Sequence, residues 1–492
     1  MRHDPVRETA RPFPARATSV ATMPGAPRFS LLQSLLPLLV PIFGLFGCSA
    51  SQPPKGPTAP RPAFQTPQIG SVPPGSSISA TTTPIMLGID VLEADGFAQV
   101  KGKRIGLLTH PAGVNRRGVS SIDVLLRAPG VKLVALFAAE HGIYGDLPAS
   151  VKVPNLVDKR TGLPVHSLHG QTRRPTKAML QGIDAIVIDL QDIGTRSYTF
   201  ASAMKWTMEE CFVHNVEVIV LDRPNPLGGL KVDGPPMDVQ WAKANYVGAF
   251  RVPYVHGLTL GELARMGKEA PGVLEIPEAA RARGKLTVVA MRGWRRSMRW
   301  PETGLTFIPT SGGIQSWDAV QGYPMTGLGS YFDLSPKVNF DIGFRTGVGP
   351  EHMFRGLSAN KLGIKIEVIE KELAALQPQL TGLRFPRVSV PNAKTGQAAT
   401  GIYIQIVDYD DWRPCELNFW MMKIACKYAK QNPFAPLKGR DFSGFMRHMG
   451  SQAFLNDIAA KGAAVDVAAW LRQWREQARV YQEQSKRYWL YR

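Results

Sequence analysis

The sequence predicts an α/β protein: a parallel-stranded N-terminal half followed by a second half of mixed α/β character. Three observations carry this. From residue 103, short apolar runs alternate with stretches of helical spacing. The runs are apolar throughout rather than at every second residue, as strands covered on both faces must be. Each run also ends in a polar cluster, and parallel sheets bind ligands beyond the carboxyl ends of their strands. A chain of 492 residues can hold two or three domains with sizeable cores.

In chain order, "KRIGLLTH" (103–110) reads as strand and "SSIDVLLRA" (120–128) as helix. "VKLVALFAAEHG" (131–142) is the next strand, "PTKAMLQG" (175–182) a helix and "DAIVIDLQDIG" (184–194) a strand. "SYTFASAMKWTMEECFVHN" (197–215) reads as helix and "VEVIVLDRPNP" (216–226) as strand. In "YVHGLTLGEL", Thr259 and Glu262 fit a capping box that opens another helix. This parallel-sheet domain is expected over 85–275.

The second half, 280–492, reads as a mixed α/β domain. "KLTVVAMRGW" (285–294) and "TGIYIQIVDYD" (400–410) look like strands. "GPEHMFRGLSANKLG" (349–363) and the end of the chain look helical. Residues 301–350 are Gly-rich and aromatic and read as a long functional loop. Its Trp317, Tyr323 and Tyr331 either stack on sugar rings or pack the loop. Near the C-terminus Leu471, Trp474, Ala478 and Tyr481 recur at helical spacing, which predicts a docking face.

The first 84 residues are not expected to fold. Arg28, the apolar stretch 29–47 and the small residues before Cys48 read as a signal region, or else as an ordinary membrane anchor. Leu45-Phe46-Gly47-Cys48 resembles a bacterial lipobox, in which Cys48 is lipidated and becomes the new N-terminus. Ser49 is compatible with outer-membrane sorting, and Met23 is a candidate true start. Residues 48–84 are rich in Pro, Ser and Thr, cannot bury a core and read as a tether. The expected product is an exported, membrane-anchored lipoprotein facing the periplasm.

Hydrophobic content of 44% and charged content of 20% describe a globular protein. The net charge is +19, of which residues 1–47 supply only +3. A basic surface suits nucleic acid, anionic lipid or an acidic cell-wall glycan. Basic runs interleaved with aromatics are missing, as are zinc-finger and helix-turn-helix signatures, so no nucleic-acid partner is expected. After Cys48 only Cys211, Cys415 and Cys426 remain. Cys415 and Cys426 lie in a helical stretch, about 16 Å apart, too far for a disulfide, which needs Cα atoms within about 7 Å. Free thiols are expected. No CxxC or metal-ligand spacing occurs. GxGxxG, a P-loop and GxSxG are all missing, so dinucleotide, phosphate-cradle and serine-hydrolase chemistry lack support.

The polar clusters at the strand ends supply the candidate site. They are His110 with its following Pro-Ala-Gly, Glu140-His141-Gly142, Gln191-Asp192 through Arg196, Asp222-Arg223-Pro-Asn225, and His256-Gly257. Taken singly, each acid reads equally as a cap or turn former, and Asp222 and Arg223 could pair with each other. Their coincidence at successive strand ends is what indicates a site.

"EHGIYGD", "TGLPVHSLHGQTRRPTKAML", "DIGTRSYTF", "VLDRPNPLGG" and "HGLTLGELA" together resemble the NamZ-type exo-β-N-acetylmuramidases, a YbbC-like family formerly known as a domain of unknown function. The likeness runs from about residue 87 to the closing "RYWLYR". It implies a Rossmann-like N-terminal domain, a C-terminal α/β domain and an active cleft between them. It implies release of N-acetylmuramic acid from the non-reducing end of peptidoglycan fragments, with no cofactor. One stretch departs from the family pattern. Where members carry an acidic Glu-Gly-Arg-Gly motif after Tyr-Pro-Gly, this chain reads "YPMTGLGSYFDLSPKVNFDIGFRTGVG", keeping Arg345 and glycines but not the glutamates.

Glycoside hydrolysis generally uses one carboxylic acid to protonate the leaving oxygen and a second group to activate water or attack the anomeric carbon. Glu140 is the expected acid, because partial burial after an apolar strand raises a carboxyl toward working pH. His141 is expected to orient it or to act as base. Asp192 is the expected second carboxylate, with Asp222 behind it. The lactyl carboxylate of muramic acid calls for a cation, and Arg196 and Arg223 are the candidates. His110, Asn225 and His256 are candidates for hydroxyl or acetamido contacts.

Overall fold

A computed structural model of the chain describes residues 85–145, 151–152, 154–243, 245–334, 342–349, 352–391 and 396–492. The stretches read as signal region and tether, Cys48 and the side chain of Tyr331 lie outside the described residues. The described residues all fall within one compact unit. No described helix is long and apolar enough to cross a membrane.

The first sheet comprises β1 (Arg104–Thr109), β2 (Lys132–Ala138), β3 (Leu156–Val157), β4 (Pro164–Ser167), β5 (Ala185–Asp189), β6 (Glu217–Leu221) and β7 (Leu286–Val289). Its order is β3-β4-β2-β1-β5-β6-β7. All neighbours pair in parallel except β3 with β4. The connecting helices are α1 (Gly88–Ala94), α2 (Ser121–Leu126), α3 (Thr199–Val213), α4 (Val239–Ala242), α5 (Leu260–Glu269) and α6 (Glu278–Arg283).

Both faces of this sheet are covered, which is why its strands are apolar throughout. All five residues of β5 are buried. Ile186 and Ile188 join the core that holds α3 and α5, while Ala185 and Val187 join the opposite core with α1 and α2. Alternate residues of a strand point to opposite faces. Each fully buried aliphatic side chain contributes roughly 1.5–3 kcal/mol. The capping box of α5 forms as expected: the Thr259 hydroxyl accepts from the Glu262 N–H (3.2 Å) and the Glu262 carboxylate from the Thr259 N–H (3.1 Å).

The second half contains β8 (Arg345–Thr346), β9 (Gly356–Ser358), β10 (Leu383–Arg384), β11 (Arg387–Pro391), β12 (Ala398–Tyr403) and β13 (Gln405–Ile406). A four-stranded antiparallel sheet runs β11-β12-β9-β8, and β10 pairs with β13. Around them lie α7 (Trp317–Leu334), α8 (Ile366–Ala375), α9 (Glu416–Tyr428), α10 (Gly439–Met449), α11 (Gln452–Lys461) and α12 (Val467–Ser485). The predicted docking face of α12 buries Leu471, Trp474 and Ala478. Cys211, Cys415 and Cys426 are free thiols.

Four local expectations are corrected. "PTKAMLQG" forms turns, because Thr176, Lys177 and Ala178 are exposed and leave no apolar face to dock. "KLTVVAMRGW" supplies β7, so the first sheet extends past the boundary expected at 275. The presumed loop at 301–350 contains α7, an 18-residue helix. Its glycines look like breakers but serve close packing: a Cβ on Gly322 would lie 2.7 Å from the Phe354 backbone. "GPEHMFRGLSANKLG" yields β9 and a short 3-10 turn at Asn360–Leu362 instead of a helix.

The closing "RYWLYR" returns to the first sheet. The Tyr491 hydroxyl donates to Asp222 Oδ2 (2.6 Å) and accepts from the Met291 N–H (3.0 Å). The Leu490 N–H bonds Glu262 Oε1 (2.9 Å), and Arg265 donates to the Tyr488 and Trp489 carbonyls (both 3.2 Å). The last residues thus clasp the carboxyl end of β6.

Candidate active site

Strand register brings the first pair of side chains together. β2 and β4 run parallel with Ala138 opposite Ser167. Two residues further along each chain, Glu140 meets His169. His169 Nε2 lies 3.6 Å from Glu140 Oε1. The other carboxylate oxygen accepts a hydrogen bond from Thr199 Oγ1 (2.8 Å), the first residue of α3. A helix N-terminus favours negative charge at that place. Glu140 is 9% exposed, so the sequence reading of a partly buried acid holds.

The backbone at this turn is unusual. His141 has φ 72° and Gly142 φ 79°. A non-glycine residue in the left-handed region costs about 1–2 kcal/mol, and such strain concentrates at functional sites. His141 is itself buried. The residue in ion-pair range of Glu140 that the sequence reading overlooked is His169. It follows β4, a strand too short to stand out, although it lies within the quoted "TGLPVHSLHGQTRRP".

Burial holds His169 below the ordinary histidine range, partly offset by Glu140. Its ring lies 5.9 Å from that of Tyr246, a buried residue whose own hydroxyl burial pushes upward. The Arg173 guanidinium covers the Tyr246 ring at 4.2 Å.

Asp192 supplies the second carboxylate at the rim. Its Oδ2 accepts from the Gly194 N–H (2.8 Å) and lies 3.8 Å from His256 Nε2. Its Oδ1 is buried without a hydrogen-bond partner among the described residues. Such an oxygen is costly to bury and is placed to accept a hydrogen bond from a substrate hydroxyl or a water. His256 Nδ1 accepts from the Leu258 N–H (3.2 Å), which leaves the Nε2 proton directed at Asp192. From the second half, Tyr323 on α7 reaches Ser197 (3.3 Å), whose hydroxyl also bonds Tyr254 (2.8 Å). Burial pushes the Tyr323 phenol up to about 12.

The remaining strand-end candidates are structural. Arg196 is buried, and its Nη atoms donate to four carbonyls: Pro235 and Val252 (both 2.7 Å), His448 and Met449 (both 3.0 Å). It joins the rim to the end of α10 and cannot clamp a substrate carboxylate. Burial brings it down to about 10. Arg223 is held by Asp189, through Nε to Oδ1 (2.6 Å) and Nη2 to Oδ2 (2.9 Å). The anticipated Asp222–Arg223 side-chain pair is replaced by this buried one. Asp222 is fully buried and accepts from the Arg223 and Gly261 N–H groups, Thr259 Oγ1 and Tyr491. It anchors the C-terminus and is not a reserve catalyst. Asn225 bonds the Leu258 carbonyl (3.1 Å) and the Leu227 N–H (3.0 Å). His110 Nε2 accepts the Gln191 N–H (2.8 Å). Burial, with Arg223 and His141 nearby, holds His110 neutral, well below its usual range.

A separate cleft of about 250 Å³ lies where the loops after β1 and β5 diverge, lined by Asn115, Arg116, Gln191, Arg223 and Trp300 among others. Its arginines have acidic neighbours: Arg223 with Asp189, Arg117 with Glu93 (2.7 Å) and Arg116 near Asp90 (3.9 Å). Glu140 does not line it. Among the described residues no group of three His, Cys, Asp or Glu side chains is placed to hold a metal ion.

Chemically, the rim offers a carboxyl beside a neutral imidazole, a second carboxyl with an open oxygen, and phenols on the other side. That set suits proton transfer to and from a polar substrate.

Residues 105–318 match the family model for the N-terminal part of exo-β-N-acetylmuramidase NamZ, and residues 339–491 match that for its C-terminal part. The chain is 40% identical over 266 residues to the peptidoglycan β-N-acetylmuramidase NamZ of Bacillus subtilis (strain 168). That match covers 54% of this chain and 62% of the relative's length, so the chain spans about six-tenths of this curated relative. A crystal structure of a DUF1343 family protein from Bacteroides fragilis NCTC 9343 superposes with a TM-score of 0.71 at 33% identity, covering 84% of this chain and all of the other. A second such protein from the same organism, at 24% identity and a TM-score of 0.57, covers 83% of this chain and 99% of its own and shares the fold. With both halves matched in order, the chain belongs to the exo-β-N-acetylmuramidase NamZ family.

Proposed function

We propose that this protein is an exo-acting glycoside hydrolase that releases N-acetylmuramic acid from the non-reducing end of peptidoglycan fragments. Glu140 protonates the leaving oxygen, and Asp192 acts on the opposite partner, water or the anomeric carbon. His169 and Thr199 hold the Glu140 carboxyl in place. His256 does the same for Asp192. The reading is carried chiefly by two buried carboxyls, after β2 and β5 on either side of β1, one paired with His169, the other with an unbonded oxygen. The likeness to the Bacillus subtilis muramidase supports the substrate class.

The test is release of muramic acid from a chromogenic muramide by purified residues 85–492. Glu140→Gln keeps size and polarity but removes the acidic proton. General acid catalysis is worth about 10²–10⁴-fold, so turnover should fall at least about a hundredfold. Near-normal turnover in the folded variant would move the acid to Asp192. The absent C-terminal glutamates favour a second reading, a glycan-binding lipoprotein of weak turnover; binding of muramic acid without hydrolysis would establish it.

We also propose export and lipid anchoring at Cys48. The apolar run ending in "LFGC" supports this. Mass spectrometry of the mature N-terminus decides it, and an unmodified Cys48 would end the proposal.

A further inference from the structure

Two adjacent arginines follow His169, and they are used differently. Arg174 donates to Glu209 (2.5 Å) and Glu210 (3.5 Å) and covers the Trp206 ring. It is tied to α3. Arg173 is exposed and has no acidic partner among the described residues. Its guanidinium carbon lies over the Tyr246 ring, 4.2 Å from the centroid. A cation–π contact of this kind holds the guanidinium in place while leaving N–H donors free to bind a carboxylate in bidentate fashion.

What lies beneath Arg173 leads directly to the proposed acid. Tyr246 is 6% exposed and its ring meets both Trp206 (5.0 Å) and His169 (5.9 Å). His169 in turn reaches Glu140 at 3.6 Å. Two buried polar atoms along this path, the Tyr246 hydroxyl and His169 Nδ1, have no hydrogen-bond partner among the described residues. Arg173 also acts on both of these groups electrostatically, lowering each. An exposed, pre-oriented cation therefore stands within three side-chain contacts of Glu140, over a patch with unsatisfied polar atoms.

We propose that Arg173, stacked on Tyr246, is the residue that recognises the carboxylate of the substrate sugar, the role first expected of Arg196 or Arg223. This rests on the muramic acid reading above. Its mechanism is simple: a sugar whose acid group reaches Arg173 places its glycosidic oxygen beside Glu140, whereas a neutral sugar lacks that anchor. The arginine is a specificity determinant and takes no part in bond breaking.

The test uses binding, which is independent of turnover. Affinities of N-acetylmuramic acid and N-acetylglucosamine are measured by calorimetry for residues 85–492, its R173A and R173K variants, and R174A. A charge-assisted bidentate contact at a partly open site is worth roughly 10- to 100-fold in affinity. The wild-type protein should prefer the acidic sugar by about that factor, and R173A should bring the ratio close to one. R173K should keep part of it, since it retains charge but not the planar fork. R174A should retain the preference. Equal affinity for both sugars in the wild type, or a preference that survives R173A, overturns the proposal. Turnover is assayed separately: failure to hydrolyse a muramide would sink the hydrolase reading while a lost preference in R173A would still assign the carboxylate to Arg173.

Discussion

Tyr491→Phe should destabilise the protein by an amount that depends on pH. The perturbation removes one hydroxyl and leaves the ring against Trp294, 4.9 Å away. That hydroxyl donates to Asp222 Oδ2 (2.6 Å) and accepts from the Met291 N–H (3.0 Å). Burial pushes the Asp222 carboxyl up to about 6, while Tyr491, Thr259 and Gly261 oppose the rise. The unfolded value is about 3.9. Between about pH 4 and pH 6 the native state therefore binds a proton that the unfolded chain has released, and the contribution of Asp222 to stability falls as pH rises through this window. Removing a donor raises the native value further, so the fall becomes larger and extends to higher pH.

The magnitude follows from the bond type. At every pH the variant orphans the Met291 N–H, about 1–3 kcal/mol, and near pH 4 it also loses a neutral hydrogen bond, about 0.5–1.5 kcal/mol. Above pH 6 it loses a bond to a buried carboxylate, about 1.5–3 kcal/mol. For a chain of this size the difference of about 1–1.5 kcal/mol is a melting-point loss of roughly 1–2 °C more at pH 7 than at pH 4. Scanning calorimetry of both proteins at pH 4, 5, 6 and 7 measures it. A penalty that is constant across the series would show that Asp222 does not titrate in that window and that the clasp works by packing alone.

Other outcomes follow from the same geometry. Arg196→Ala leaves four buried carbonyls without their donor, each worth about 1–3 kcal/mol when orphaned; it should lower the melting temperature by many degrees or abolish soluble expression, and a stable variant with weakened sugar binding would restore Arg196 to the site. Gly194→Ala places a Cβ 2.3 Å from Asn225 Oδ1 at a φ of 76°; because the Gly194 N–H holds Asp192, turnover and stability should fall together. Thiol titration of denatured, unreduced residues 85–492 should find three thiols. The native protein should react slowly, since burial raises Cys211 and Cys415 and pushes Cys426 up to about 12.

The first sheet was legible because its strands are apolar on both faces, a pattern that only a doubly covered parallel sheet produces. β4 was not, since "PVHS" is four residues long with one of them half-exposed, and missing it hid His169. α7 was obscured by Pro324 and three glycines, of which Gly322 packs closely on the Phe354 backbone. The site was legible only as a rim. Glu140 and Asp192 could be proposed from it, but the proposed carboxylate clamp could not, because Arg173 lies in a loop and its neighbour Arg174 looks identical in one dimension.

Asp192 and Asp222 differ in how far their carboxylates are satisfied from within. Asp222 sits after β6 much as Asp192 sits after β5, and both are buried acids followed by a turn. Asp222 accepts four donors, one of them from residue 491. Asp192 accepts one and keeps a buried oxygen unbonded. Since a buried unsatisfied oxygen costs about 1–3 kcal/mol, a fold that satisfies Asp222 from 269 residues away yet leaves Asp192 open is bearing that cost where a substrate or water would relieve it. A similar contrast separates Arg173, with no acidic partner among the described residues, from Arg174, which is held by Glu209 and Glu210 at α3. In both pairs the proposed site takes the residue with bonding capacity to spare.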